Sequence, residues 1–165
     1  MLLFLDCEWA DVLEAELVSI ALIGEDATCF FYAEREKLPA PAPTFVQDVV
    51  YPLLDRGTAA MSDLALTQAL REFFHRVSNP IVVADYPLDF ELLRYALEGT
   101  GLLATQRVGL VAMPRYEVKE AFDASLHAAI EARFSTDSKI EAGRHHALVD
   151  ARVLRDAWLA LGRSR

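Results

Sequence analysis

One stretch constrains this chain more than any other: the apolar run Met1-Leu2-Leu3-Phe4-Leu5 leads directly into Asp6-Cys7-Glu8. The run reads as a buried strand. Side chains two residues apart on a strand share a face, so Asp6 and Glu8 converge while Cys7 points the other way. Two carboxylates beside an apolar core lose water and repel each other, and a cation held between them is the usual remedy. Magnesium and manganese take oxygen ligands, so the pair can open a metal site. The plainer alternative places both acids past the strand end, in solvent.

A chain of 165 residues that is 53% hydrophobic is sized for one domain spanning residues 1–165, with a substantial core. Cys7 and Cys29, the two cysteines, both sit in apolar strand-like runs. They are expected to be buried thiols of a reducing compartment, and their number rules out a cysteine-built metal site. No basic segment precedes the opening run, that run is short for a signal peptide, and no stretch approaches the length of a membrane span. A cytoplasmic protein without a membrane partner is expected. The formal net charge of −9 argues against a broad electrostatic grip on long duplex nucleic acid. It leaves room for an enzyme that holds a few nucleotides through metal ions and a local basic loop.

Along the chain, Glu16 to Ile23 and Ala27 to Ala33 read as second and third strands, separated by a tight turn at Gly24-Glu25-Asp26. The three strands form an antiparallel meander. Glu34 to Pro43, with Pro39, Pro41 and Pro43, reads as a surface loop. A helix follows from Thr44 with Phe45, Val46, Val49, Val50 and Leu53 on one side, and Ser62 caps another that carries Leu66, Leu70, Phe73 and Val77. Ile81 to Ala84 is a fourth, wholly apolar strand leading through Asp85-Tyr86-Pro87 into a helix from about Leu88 to Glu98, closed by Gly99 and Gly101. Val108 to Met113 is expected as a fifth strand, Val118 to Phe134 as an amphipathic helix, and Ser135 to Gly143 as a loop. The last helix runs from near His146 to Leu161. Strands that come to alternate with helices imply parallel crossovers, so the expected class is α/β, with a mixed sheet of about five strands flanked by helices.

Two further acids are awkward without a partner. Asp89 lies in the first turn of the helix after the fourth strand, where strand ends in α/β sheets form clefts; it would also simply favour the helix dipole. Asp150 borders the buried stripe of the last helix, and either a metal or a nearby Arg144 or Arg152 would relieve it. His145 and His146 precede that helix. Spacing favours His146, four residues before Asp150, whereas His145 would reach the same cleft from the loop; periodicity leaves both open. Trp9 fits equally a core position and a stacking platform for a base, and Lys139 and Arg144 lie on the loop ahead of His145, where they could contact phosphate.

Taken together, Asp6-x-Glu8, Asp89 and His145-x-Ala147-x-x-Asp150-Ala151 resemble the three motifs of the DEDDh 3′-to-5′ exonucleases of the ribonuclease-H-like fold. The Asp-Cys-Glu-Trp opening and the segment Asp-Tyr-Pro-Leu-Asp-Phe-Glu-Leu-Leu are most similar to the short bacterial exoribonuclease family first described in mycobacteria. The resemblance implies Asp6, Glu8, Asp89 and Asp150 as metal ligands and His145 as general base; Trp9, by stacking, and Arg144, by phosphate contact, are the expected substrate-binding residues. It further implies two magnesium or manganese ions, about 4 Å apart, at which single-stranded RNA 3′ ends, or RNA overhangs, are hydrolysed to nucleoside 5′-monophosphates. A homodimer is expected with it. A DNA 3′-to-5′ exonuclease with the same site, or a catalytically silent ribonuclease-H-like nucleic-acid-binding module, are the alternatives. Where family members often carry His-Asn ahead of the aspartate of the second motif, this chain has Ala84-Asp85, and the sequence leaves open whether Asp85 assists the second metal or stands in for Asp89 as its ligand.

Overall fold

In a computed structural model, which describes residues 1–10 and 16–163, the opening run and both carboxylates lie on one strand, β1 (Leu2–Trp9). The other strands are β2 (Leu17–Gly24), β3 (Phe30–Arg35), β4 (Ala60–Met61), β5 (Ile81–Ala84) and β6 (Glu117–Glu120). They form one six-stranded mixed sheet in the order β4-β3-β2-β1-β5-β6. The β1-β2 and β2-β3 pairs are antiparallel, whereas β3-β4, β1-β5 and β5-β6 are parallel.

The alternation of β1 sorts the helices onto two faces. Leu3, Leu5 and Cys7 pack with Leu66, Leu70, Phe73 and Phe74 of α2 (Asp63–Arg76) and Leu92, Leu93 and Leu97 of α3 (Pro87–Glu98). Leu2 and Phe4 pack with Leu126, Ile130 and Phe134 of α5 (Ala124–Thr136) and Leu154 and Trp158 of α7 (Ala147–Ala160). Burying each such side chain contributes roughly 1.5–3 kcal/mol. The remaining helices are short: α1 (Tyr51–Leu53), which continues a π-helical turn at Val46–Val50, α4 (Ala104–Arg107) and α6 (Ser138–Glu141). Ser62 and Asp123 cap α2 and α5 by accepting from backbone N–H groups. Gly99, at φ +68°, closes α3 in the left-handed conformation that a Cβ would disfavour.

The α/β class and the flanking helices are as the sequence predicts, but the sheet has six strands instead of five. Val108 to Met113 is not a strand. Its Val111 N–H donates to Gln68, its Val111 carbonyl accepts from Arg71 at 2.6 Å, and the Ala112 carbonyl lies 2.9 Å from His75 Nε2. Side chains of α2 thus take the backbone groups that a sheet would have taken. The strand beside β5 is instead β6, whose Glu117, Val118 and Glu120 are exposed; a polar edge strand carries no apolar signature, and its residues from Val118 on fall in the stretch expected as a helix. The helix α5 accordingly starts at Ala124, and the expected loop after it contains α6. Phe45, expected on a buried helix face, is half exposed.

Two features of the sheet open a cleft. First, β1 pairs with β5 through Leu2, Leu3 and Phe4, but with β2 as far as Trp9. The C-terminal half of β1 therefore has a free side where the chain leaves β5 and turns into α3, at the carboxyl ends of both strands. Second, the register between β1 and β2 shifts between Glu8 and Trp9, which bends the strand where its acids end. Among the described residues no helix is long and apolar enough to cross a membrane.

Candidate functional site

Three elements bring acids to the free half of β1. Asp6 and Glu8 project from β1 toward the α7 face, as their parity with Phe4 requires. Asp150 arrives from the first turn of α7, and Asp89 from the first turn of α3, with Asp85 just ahead of it in the turn after β5. Their ligating atoms form two groups. Glu8, His145 and Asp150 each offer an atom within 4.8 Å of the others, and so do Asp6, Asp85 and Asp89.

The local structure of the histidine segment settles which of the two imidazoles joins the acids. His146 is the N-cap of α7: its Nδ1 accepts from the Leu148 N–H, and its ring stacks on Tyr32 at 4.7 Å between centroids. His145 takes the left-handed conformation, φ +73°, and its backbone N–H donates to Asp150 Oδ2 at 3.0 Å. A histidine at positive φ is uncommon and needs surrounding support, which the Asp150 carboxylate supplies. The His145 ring sits edge-on to Phe45 at 5.0 Å.

Electrostatically the site is unfinished. Burial pushes the Asp6 carboxyl well above the usual carboxylate range, reinforced by Asp89, Asp150, Glu8 and Asp85. Burial and then Asp150 raise Glu8 to about 8. Burial also raises Asp150 to about 7, despite the opposing hydrogen bond from the His145 N–H and the charge of Arg144. Asp89 is raised by burial and Asp85, against a hydrogen bond from the Cys7 backbone N–H. Burial and then the Arg144 charge hold the His145 imidazole below its ordinary value, which favours its neutral, proton-accepting form.

Glu34 shows what a satisfied buried acid looks like in this fold. It is fully buried, yet it accepts from the Tyr32 hydroxyl, the backbone N–H groups of Asp55 and Arg56, and the Arg56 guanidinium. In contrast, Asp6 Oδ2, Asp89 Oδ1 and Asp150 Oδ1 are buried with no hydrogen-bond partner. Oxygens left in this way on converging carboxylates suit a hard divalent cation, which supplies the positive charge that the protein does not.

Beside the acids lies a cleft of about 300 Å³ lined by Glu8, Trp9, Ala10, Pro43, Phe45, Val46, Val50 and His145. Trp9 is partly buried and stacks on Tyr86, with centroids 5.6 Å apart and planes within 3°. It is thus both packed and presented to the cleft. Arg144 does not turn into the cleft: its guanidinium holds Glu131 at 2.6 Å and lies over the Phe134 ring. A larger cleft of about 810 Å³ opens at the opposite end of the sheet, by Met1, Cys29, Phe30 and Arg76. Volume alone would favour it, but the unpartnered carboxylate oxygens are all at the β1 end, and the chemistry lies with them.

Phe45 and Tyr86 are the site residues that sequence reasoning passed over. Phe45 fitted an apolar helix stripe, and Tyr86 was one of the turn residues Asp85-Tyr86-Pro87; no local pattern marks an exposed aromatic as part of a site. Comparison with protein-family models and with curated proteins finds no match to this chain.

Proposed function

We propose that the chain is a divalent-metal-dependent 3′-to-5′ exonuclease of the ribonuclease-H-like fold that acts on single-stranded RNA 3′ ends. The observation that carries the reading is the set of unpartnered, buried oxygens of Asp6, Asp89 and Asp150, brought from three elements to the side of Glu8 and His145. The antiparallel β3-β2-β1 meander, continued in parallel by β5 and β6, supports the fold assignment. RNA is preferred to DNA on the resemblance of the Asp-Cys-Glu-Trp and Asp85–Leu93 segments.

Asp6, Glu8, Asp89 and Asp150 would hold the metal. Divalent ions bound there neutralise charge on the scissile phosphate and ease deprotonation of a water. Neutral at physiological pH, His145 accepts that proton at an imidazole nitrogen. The Asp150 carboxylate orients His145 by accepting its backbone N–H, so one residue serves both the metal and the base. The cleft between Trp9 and Phe45 takes the terminal base by stacking, which tolerates any base.

Matched end-labelled RNA and DNA oligonucleotides, incubated with magnesium, manganese or chelator, test this directly. Wild type is expected to shorten RNA from the 3′ end in a metal-dependent way, and Asp6→Ala to lose about 10²–10³-fold in rate, the order of magnitude that mutagenesis finds for groups stabilising transition-state charge. Faster shortening of DNA would reassign the substrate. A well-folded wild type that cleaves neither with either metal would end the exonuclease reading.

A further inference from the structure

We infer that Asp85 is a metal-holding residue, which joins Asp6 and Asp89 in a carboxylate cluster able to bind its own divalent cation before any nucleic acid arrives. The inference rests on the reading of the acidic site as a metal centre, and extends it to a residue outside the four-carboxylate set.

The grouping of the acids is the first ground. Along β1, Asp6 and Glu8 arise about 6–7 Å apart, as the rise of a strand requires, and each heads a different cluster. Glu8 closes with Asp150 and His145 at the mouth of α7; Asp6 closes with Asp85 and Asp89 at the mouth of α3. Within each cluster the ligating atoms all lie within 4.8 Å of one another. Opposite ligands of a hard divalent ion stand about 4–5 Å apart, so the three carboxylates of the Asp6 cluster fit one coordination sphere, while Glu8 and Asp150 can share a second ion with His145 left beside it as a base.

An independent sign of a ligand comes from Asp89. This residue is 1% exposed, and while its carboxylate accepts a hydrogen bond from the Cys7 backbone N–H, its Oδ1 has no partner. Asp6 Oδ2, in the same cluster, is likewise buried and unpartnered. A buried oxygen without a donor costs free energy unless a cation completes it.

The turn that presents Asp85 is stiff. Pro87 follows Tyr86 as the first residue of α3, and Tyr86 is pinned by its stack on Trp9. Asp85 is therefore held beside Asp89 with little freedom to swing into solvent. Three protein carboxylates on one ion give it enough oxygen ligands to remain without help from a phosphate, with waters filling the other positions.

Manganese binding to the nucleic-acid-free protein tests the inference, read by calorimetry and by the electron paramagnetic resonance signal of unbound ion. Wild type is expected to bind two ions. In Asp85→Asn one of the two dissociation constants should rise at least about tenfold, the scale on which lost supporting groups weaken metal sites, while Asp150→Asn should weaken the other. Asp85→Ala must lose the same ion as Asp85→Asn, which guards against a folding artefact in either variant, and thermal melts confirm that both fold. If both variants keep the full stoichiometry and affinity of wild type, Asp85 is not a ligand, although the metal centre stands. Saturation of wild type by one ion that the Asp85 variants do not disturb has the same meaning. If wild type binds no manganese at millimolar concentration, the metal reading itself falls, and the role of Asp85 with it.

Discussion

His145 and His146 are neighbours in opposite settings, and the difference lies in one backbone angle. With φ at +73°, His145 leaves the helix direction and meets the acids, whereas His146 stays behind as a cap packed on Tyr32. Replacing His145 by alanine is expected to lower turnover about 10²–10⁴-fold, the range for general bases, with the melting temperature nearly unchanged. His146→Ala should do the reverse, costing about 1 kcal/mol of stability, as a lost N-cap does, and leaving the pH profile of turnover in place. Kinetics and thermal melts on the two variants decide, and equal losses of turnover would overturn the division. Spacing pointed to His146, because four residues separate it from Asp150 on a helix. That argument fails because the helix begins one residue later, at Ala147, and His145 turns out of it at positive φ with its N–H on the Asp150 carboxylate, a backbone turn that spacing does not encode.

At the scale of elements, the runs that were legible are those whose burial is one-sided or complete. The alternation of β1, the wholly buried β2, the apolar β5, and the stripes of α2, α3 and α7 announce themselves because each buries a fixed face. Misreadings occurred where partners other than a sheet satisfy the backbone. Val108 to Met113 has the composition of a strand but is held by Gln68, Arg71 and His75 of α2, while the real edge strand β6 is spelled in charges. Arg71 also donates to the Leu97 carbonyl at 2.8 Å, so one guanidinium ties α2 to both α3 and this segment. Arg71→Ala is expected to cost about 1–3 kcal/mol, since two carbonyls lose a charged donor, and to speed amide exchange in residues 108–113 more than in β1. Uniform exchange across the molecule would show that the segment is held by something else.

For the molecule as a whole, the acidic centre is expected to make stability depend on pH and, if it holds the proposed cation, on metal as well. Glu8 is raised from 4.5 to about 8 and Asp150 from 3.8 to about 7, so between roughly pH 4 and pH 8 the metal-free folded state binds more protons than the unfolded chain. Unfolding free energy therefore falls as pH rises through that window. The melting temperature of the chelated protein is expected to drop by about 5–10 °C from pH 5 to pH 8.5, corresponding to a few kcal/mol in a chain of this size. Manganese should reverse the drop, and do so most at the alkaline end, where the carboxylates are ionised. Asp6→Asn removes one charge from the centre, so it should flatten the pH dependence and abolish most of the metal-induced rise. A chelated wild type whose melting temperature is level or climbing over this range would contradict the electrostatic account.

The centre also draws on residues from nearly opposite ends of the described chain: Asp6 on β1 at one extreme, His145 and Asp150 at the start of α7 at the other. Because α7 packs on β1 and brings Asp150, with His145 just ahead of it, to Asp6 and Glu8, the proposed centre exists only once that helix has docked on the sheet. A chain whose sheet has formed but whose α7 is still undocked would hold Asp6, Glu8 and Asp89 without Asp150 or His145, so the proposed activity would report on completed folding and not on the sheet alone.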